Sequence, residues 1–339
     1  MFRCGVIGCG NISVMHLDSI ATLDNLELVA VCDIKYDRAE KAARQYSCKA
    51  YREYQEMIEA EKLDAVHICL PHYLHTPVAQ YALQHGLHVL SEKPMSIRLE
   101  DAIETIELAK QTGLQYGVIF QCRYNTPSQV VKRRLQEGRL GKILSARVVL
   151  TWSRSDEYYT ASDWKGTWDK EGGGVVIDQA IHSLDLANWF IDSKPVRIES
   201  TLHNRHHQLV SVEDTAEGAI YYENGAMLCF YAMNNYQTDE PIEIRLFCEK
   251  GTVRLSYDEA TLAYDDGSSE MVVNHPQELV TYSGGKEYWG TQHAVQIHHF
   301  YESVAGREDL FLSGEEALKI QKIVCAIYDN NDNKFFDRK

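Results

Sequence analysis

Short apolar runs and amphipathic stretches alternate along the first third of the chain. Phe2–Ile7 (FRCGVI) and Leu26–Cys32 (LELVAVC) read as strands, separated by a helical pattern over Ile12–Leu23. A charged helical segment follows from Tyr36 to Tyr46, and Asp64–Leu70 (DAVHICL) and His88–Leu90 are further strands. Between those two, Thr76 and Pro77 read as an N-cap and first-turn pair that opens a helix to His85. An amphipathic helix over Ile97–Gln111 and a strand over Gln115–Phe120 complete the series. Strand–helix alternation of this kind predicts a parallel sheet with helices on both faces.

Beyond Arg123 the pattern changes. A helix is predicted over Pro127–Glu137 and a strand over Lys142–Thr151. An aromatic-rich loop, Trp152–Glu171, leads to a glycine-rich turn and a helix over Val176–Ile191. Strand-like runs follow at Val196–Leu202, Thr215–Tyr222, Ala226–Ala232, Ile242–Cys248 and Thr252–Tyr257. Glu-Asn-Gly at 223–225 and Glu-Lys-Gly at 249–251 mark hairpins, so this sheet is expected to be mostly antiparallel. The acidic stretch Tyr257–Glu270 reads as a strand and a solvated turn rather than a calcium loop. Helices over Thr291–Ala305 and Gly314–Asn330 close the pattern, with a tail from Asp329 expected to fray. The domain expectation is therefore 1–122 and 123–339, with the last helices able to pack back on the first domain.

Composition narrows the class of function. The chain has 339 residues, of which 45% are hydrophobic and 24% charged, as in an ordinary globular protein. Its formal net charge of -15 argues against nucleic acid or an anionic membrane surface as partner, since both need clustered cations. Nine scattered cysteines without a C-x-x-C pair read as small core residues of a reducing compartment. No leader-like segment precedes the first strand, and no apolar run approaches the ~18 residues of a membrane span. A cytoplasmic protein is expected.

The first chemistry lies where the first strand meets the first helix. Gly8-Cys9-Gly10-Asn11-Ile12-Ser13 occupies the context in which a glycine loop cradles a pyrophosphate. Gly8 permits the tight turn, Gly10 lets the backbone approach the phosphates, and the helix N-terminus favours negative charge. Ser13 stands where a third glycine is usual. Asp33 ends the second strand, placed to accept hydrogen bonds from the adenosine ribose hydroxyls. A carboxylate there repels a 2′-phosphate, so NAD is expected over NADP.

Two further segments carry reactive groups. Ser91-Glu92-Lys93-Pro94 follows a strand at the sheet edge where open α/β folds bind ligands. A lysine desolvated there suits proton donation, and Pro94 restricts its backbone. The run from Glu171 to His182 (EGGGVVIDQAIH) places Asp178 and His182 at i and i+4, one face of a helix. Its glycines remove side chains where a substrate or nicotinamide approaches the backbone. An imidazole suits abstraction of a hydroxyl proton.

These segments together resemble the Gfo/Idh/MocA family of glucose–fructose oxidoreductase, inositol dehydrogenase and rhizopine-catabolism proteins, along essentially the whole chain. The resemblance is carried by GVIGCGNIS, ELVAVCD, ICLPHYLHTPVAQYAL, HVLSEKP, RYNTPSQVVK, GTWDKEGGGVVIDQAIHSLDL and GREDLFLSGEEALKIQKIVCAIY. It implies an α/β chain with an N-terminal Rossmann dinucleotide-binding domain and a C-terminal α+β domain with a mostly antiparallel open sheet. It implies Lys93, Asp178 and His182 as the catalytic set. Leu70, Pro71, His72, His75, Glu92 and Arg123 fall, with Lys93, where the family lines its NAD site, beside Gly8, Gly10, Asn11, Ile12 and Asp33. The implied reaction moves a hydride between a carbinol carbon and nicotinamide. His182 acts as the base, Lys93 binds the reacting oxygen, and Asp178 orients the substrate and His182.

The loop Thr151–Trp168 supplies candidate substrate contacts in Arg154, Tyr158, Tyr159, Trp164 and Trp168, with Gln179 beside Asp178. Aromatic faces suit sugar C–H surfaces, and Arg154 and Lys165 can read a hydroxyl, carboxylate or phosphate. The same aromatics would also serve to pack a long loop or a subunit contact. His206-His207 and His298-His299 lack ligand-spaced carboxylates or cysteines and read as exposed or capping residues; His16 and His67 read as structural, and no metal is expected. Three functions stay open on these residues. They are a net dehydrogenase of a sugar, sugar derivative or polyol, a glycoside-processing enzyme that oxidises sugar C3 only transiently, and a non-catalytic NAD-dependent sensor. The open sheet needs cover on its outer face, and relatives bury it between subunits, so a homodimer or homotetramer is expected.

Overall fold

The structure, a computed structural model, describes residues 1–256, 258–274, 282–284 and 292–329. Readings that touch Tyr257, Thr291, Asn330 and the tail beyond lie outside them. The chain divides into two compact units, Met1–Gln121 with Leu279–Leu318 and Cys122–Glu278 with Lys319–Lys339.

The first unit is a six-stranded parallel sheet built from β1 (Phe2–Ile7), β2 (Leu26–Cys32), β3 (Lys49–Tyr51), β4 (Ala65–Ile68), β5 (His88–Ser91) and β6 (Tyr116–Val118). Their order is β3-β2-β1-β4-β5-β6, so the direction of strand addition reverses at β1 and β4. Every residue of β4 is buried, as befits a central strand covered on both faces. Helices α1 (Ser13–Thr22), α2 (Tyr36–Tyr46), α3 (Tyr54–Ala60), α4 (His72–Gln84) and α5 (Leu99–Thr112) connect the strands. In α2 the inward stripe is Ala39, Ala42 and Ala43, which lets a highly charged helix lie close to the sheet. The short pair β3 and α3 has no counterpart in the sequence reading, because three and seven residues carry too little periodicity.

Helix α4 begins at His72 and not at Thr76. Pro71 is the extended N-cap residue, and Pro77 lies inside the helix, where it removes one i→i−4 bond instead of starting the ladder.

The second unit holds an eight-stranded sheet from β7 (Ile143–Thr151), β8 (Pro195–His203), β9 (Thr215–Tyr222), β10 (Met227–Met233), β11 (Glu243–Cys248), β12 (Gly251–Ser256), β13 (Glu259–Tyr264) and β14 (Ser269–Val273). The order is β14-β13-β12-β11-β7-β10-β9-β8, antiparallel except where β7 meets β10. Helix α6 (Thr126–Gln136) lies against β12, β13 and β14. A short helix, α7 (Asp156–Thr160), interrupts the aromatic loop, and α8 (Ile181–Ile191) covers β7. The inner face of the sheet is buried through Ile244, Leu246, Val253, Leu255 and Leu262, while Phe247 and Met271 on the other face are exposed. Two later helices complete the elements, α9 (His293–Val304) in the first unit and α10 (Gly314–Asp329), within which the unit boundary falls. Helix α9 packs on α1 and adds Ile297, Phe300 and Tyr301 to the core of Cys4, Val6, Leu17 and Ile20.

No helix among the described residues is long and apolar enough to cross a membrane.

Candidate active site

At the end of β1 the backbone of Gly8 has φ +97°, and a Cβ there would lie 2.2 Å from the carbonyl oxygen of Cys69. Only glycine fits that turn. At Gly10 a Cβ would meet no heavy atom within 4 Å, so the edge of the loop is open at the position where a phosphate needs it. Ser13 closes the turn by donating its hydroxyl to the carbonyl of Gly10 at 2.7 Å. Asn11 and Ile12 stand exposed at the entry to α1. The carboxylate of Asp33 accepts from Cys9 N–H at 2.9 Å and from Lys35 N–H at 2.8 Å, which fixes its plane at the end of β2. An open glycine edge with a fixed carboxylate at the end of the next strand fits a dinucleotide with free ribose hydroxyls.

The second rim of this site is the loop after β5. Lys93–Pro94 is a cis peptide. Buried His75, on α4, contacts the carbonyl oxygen of Pro94 through Nδ1 and that of Leu70 through Nε2, each at 2.7 Å. It thereby ties the Lys93–Pro94 loop to the Leu70–Pro71–His72 turn. Burial lowers its pKa against the pull of both carbonyls.

Glu92 sits beneath this loop. Its Oε1 meets Nε2 of His16 and Nε2 of His293, each at 3.1 Å, and its Oε2 accepts from Lys93 N–H at 3.3 Å. Burial opposes the charge, but the imidazole partners hold the Glu92 carboxyl well below its ordinary range. An ionised Glu92 requires both Nε2 atoms to donate. His16 then accepts at Nδ1 from His67 at 2.8 Å, and His67 accepts at Nε2 from the Tyr301 hydroxyl at 2.9 Å. The ligand atoms of His16, Glu92 and His293 lie within 4.8 Å of one another, a set that a divalent cation also uses. The proton assignment accounts for the spacing without one.

In the second unit the glycine run Gly172–Gly174 leads into a π turn over Val176–Ala180, and α8 follows directly. Asp178 therefore belongs to the π turn and His182 to the first turn of α8, not to one regular helix. Such widened turns recur at functional sites. The glycines serve a different purpose from the one expected. A Cβ on Gly173 would lie 2.0 Å from the Tyr328 hydroxyl, and one on Gly174 1.9 Å from the carbonyl oxygen of Glu213. Their room is taken by the protein itself.

Asp178 Oδ2 is met by three donors: the Tyr158 hydroxyl at 2.6 Å, Lys165 Nζ at 2.7 Å and Gln179 Nε2 at 2.7 Å. Lys165 Nζ also lies 3.5 Å from Glu171 Oε1. Burial and the nearby Asp178 charge push Glu171 up to about 7. Glu213 is likewise pushed up to about 7 by burial, although it accepts from Gly174 N–H, Val176 N–H and the Tyr328 hydroxyl. Asn234 bridges Tyr159 and Gln179 through Nδ2, at 2.8 and 2.9 Å.

The other candidates have defined places. Arg154 binds Asp239 at 3.0 Å and stacks over Trp152 and Tyr158. Trp168 donates to the carbonyl of Ser211 and sets its edge on Tyr328, while Trp164 faces the Lys165 ammonium. Arg123 is fully buried and clamps Asp185 through two bonds of 2.7 and 2.6 Å, with its guanidinium near Trp189. His207 is buried, and Asp156 accepts from its Nδ1 at 2.9 Å. The sequence reading missed His293, Glu213 and Tyr328 as supports. They lie far along the chain from the groups they hold, and no local pattern marks them.

Fold and site together define a nicotinamide-dinucleotide oxidoreductase. Residues 2–120 match the oxidoreductase family with an NAD-binding Rossmann fold, and residues 128–254 match the GFO/IDH/MocA C-terminal domain. The chain belongs to the Gfo/Idh/MocA family, and its cofactor is NAD. It is 26% identical to the D-glucoside 3-dehydrogenase of Escherichia coli, over 97% of this chain and 95% of that protein. It is 27% identical to the D-apiose dehydrogenase of Paraburkholderia graminis, over 96% of this chain and 87% of that protein. Among solved structures it resembles the WlbA dehydrogenase from Bordetella pertussis in complex with NADH and UDP-GlcNAcA. That likeness has a TM-score of 0.84 and 26% identity, covering 98% of this chain and 97% of that one.

Proposed function

We propose that the protein is a net dehydrogenase of a secondary alcohol on a sugar, sugar derivative or polyol, with Lys93, Asp178 and His182 as its reacting set. The observation that carries this is Asp178, a carboxylate met by three donors in a π turn that delivers His182 one turn later. NAD supplies the hydride acceptor when bound. His182 takes the hydroxyl proton, Lys93 donates a hydrogen bond to the reacting oxygen, and Asp178 orients both the substrate and His182. Relatives named for glucosides, inositols and apiose support a hydroxylated ring as substrate.

The test is NADH absorbance across methyl glucosides, glucose 6-phosphate, myo-inositol, apiose and UDP-linked N-acetyl sugars. Net NADH formation with at least one is expected, and Lys93→Met should keep NADH binding while losing nearly all of it. Turnover to an eliminated product without NADH would replace net oxidation by transient oxidation. Wild-type turnover in Lys93→Met would remove Lys93 from the mechanism.

The outer face of the eight-stranded sheet, with exposed Phe247 and Met271, supports a homodimer or homotetramer. A monomeric mass by light scattering at micromolar concentration would reject that assembly. Nine free cysteines support a reducing, cytoplasmic location.

A further inference from the structure

Lys165 reads from sequence as a group for substrate hydroxyls or acids, but its ammonium is already committed. It lies 2.7 Å from Asp178 Oδ2 and 3.5 Å from Glu171 Oε1, with a side chain only 14% exposed. Its charge also sits over the rings of Tyr158 at 4.6 Å and Trp164 at 4.5 Å, which close it off from two sides. An ammonium held by two carboxylates and two aromatic faces has little capacity left for a substrate.

We propose that Lys165 is a positioning residue, which keeps Asp178 ionised and fixes the direction of its carboxylate. This rests on the reading of Asp178 as part of the reacting set. Tyr158 and Gln179 bind the same oxygen, yet both are neutral donors and set direction without supplying charge. Lys165 supplies the charge. The neighbouring anions explain why one is needed: Asp178 faces Glu171, and Glu171 in turn faces Glu213. Tyr158, Tyr159, Lys165 and Glu171 are titratable groups that interact with Asp178. Lys165 is a cation among them, 2.7 Å from Asp178 Oδ2. Burial alone would lower its proton affinity, but Asp178 and its neighbours raise it, so the ammonium persists across the physiological range. Glu171, pushed up to about 7, divides the lysine charge with Asp178 once it ionises, which makes the hold on Asp178 firmer on the acid side.

The experiment compares Lys165→Met, Lys165→Arg and Asp178→Asn with wild type by two readouts. One is the carboxyl carbon-13 titration of Asp178 in aspartate-labelled protein, with the signal assigned by its loss in Asp178→Asn. The other is kcat and KM for whichever member of the sugar panel turns over fastest, with NADH affinity measured by fluorescence. In Lys165→Met the Asp178 midpoint should rise by about one to three pH units. There kcat should fall about 100-fold, with NADH affinity unchanged and KM moved by less than about threefold. Lys165→Arg should restore the midpoint and much of kcat, because only charge and reach are needed. A raised KM with an unmoved Asp178 midpoint would make Lys165 a substrate reader and overturn the proposal. Should Lys165→Met fail to fold, Glu171→Gln decides. It leaves the ammonium to Asp178 alone, so the Asp178 midpoint should fall, and an unmoved midpoint overturns the proposal. Wild-type turnover in Asp178→Asn would instead sink the proposed function, while the titration still judges Lys165 on its own.

Discussion

Each unit buries a carboxylate cluster, and the two behave oppositely with pH. In the first, Glu92 is held below its ordinary range by imidazole partners from His16 and His293. In the second, burial pushes Glu171 and Glu213 up to about 7. Burial is common to all three, and the count of donors does not separate them. Glu213 has three donors and is still raised. The difference lies in which donors they are. Two imidazole Nε2 atoms converge on one oxygen of Glu92, whereas two backbone amides and a tyrosine hydroxyl meet Glu213. Glu171 does have a cation, but it shares it with Asp178.

The signs follow by linkage. Glu92, depressed on folding, stabilises the fold above its ordinary value of 4.5, and that contribution is lost as pH falls. Glu213 and Glu171, raised on folding, favour the fold fully below 4.5 and lose that contribution as pH rises through about 7.

The largest effect should come from Gly174→Ala, which drives a Cβ into the Glu213 carbonyl and breaks the second cluster by steric means. A loss of about 3 kcal/mol is expected in urea unfolding of that unit. A wild-type midpoint would show that the loop can move away from Glu213. Next, His293→Ala leaves Glu92 with one imidazole partner. It should cost about 2 kcal/mol near neutral pH and move acid unfolding to higher pH. An acid transition that stays in place would transfer the stabilisation of Glu92 to His16 alone. The smallest effect is the most specific. Wild type should lose melting temperature between about pH 5 and pH 8, and Glu213→Gln should flatten that decline. If mutant and wild type decline in parallel, Glu213 does not titrate there.

Much of the first unit was legible in sequence because its signals are local. Gly8 and Gly10 stand where a turn and an open edge require them, and β2 and α2 match their predicted bounds at Leu26–Cys32 and Tyr36–Tyr46. The start of α4 was misread because Thr76–Pro77 is a strong local signal that tertiary ties at His75 override. In the second unit the motif around Asp178 was visible, but its purpose was not. Gly173 and Gly174 make way for Tyr328 and Glu213, and Lys165 faces inward to Asp178. Nothing at positions 165 or 173–174 announces its partner, whether 13 residues away at Asp178 or 155 away at Tyr328.

Those distant partners set an order of events during synthesis. Glu92 and the β-strands around it leave the ribosome long before His293 does, and the Gly172–Gly174 loop emerges well before Tyr328. A nascent chain halted short of α9 therefore carries its nucleotide loop with Glu92 lacking one of its imidazole partners. One halted short of Tyr328 carries its glycine run over an unfilled hole. In each unit the last side chain of a buried cluster is therefore among the last to be synthesised.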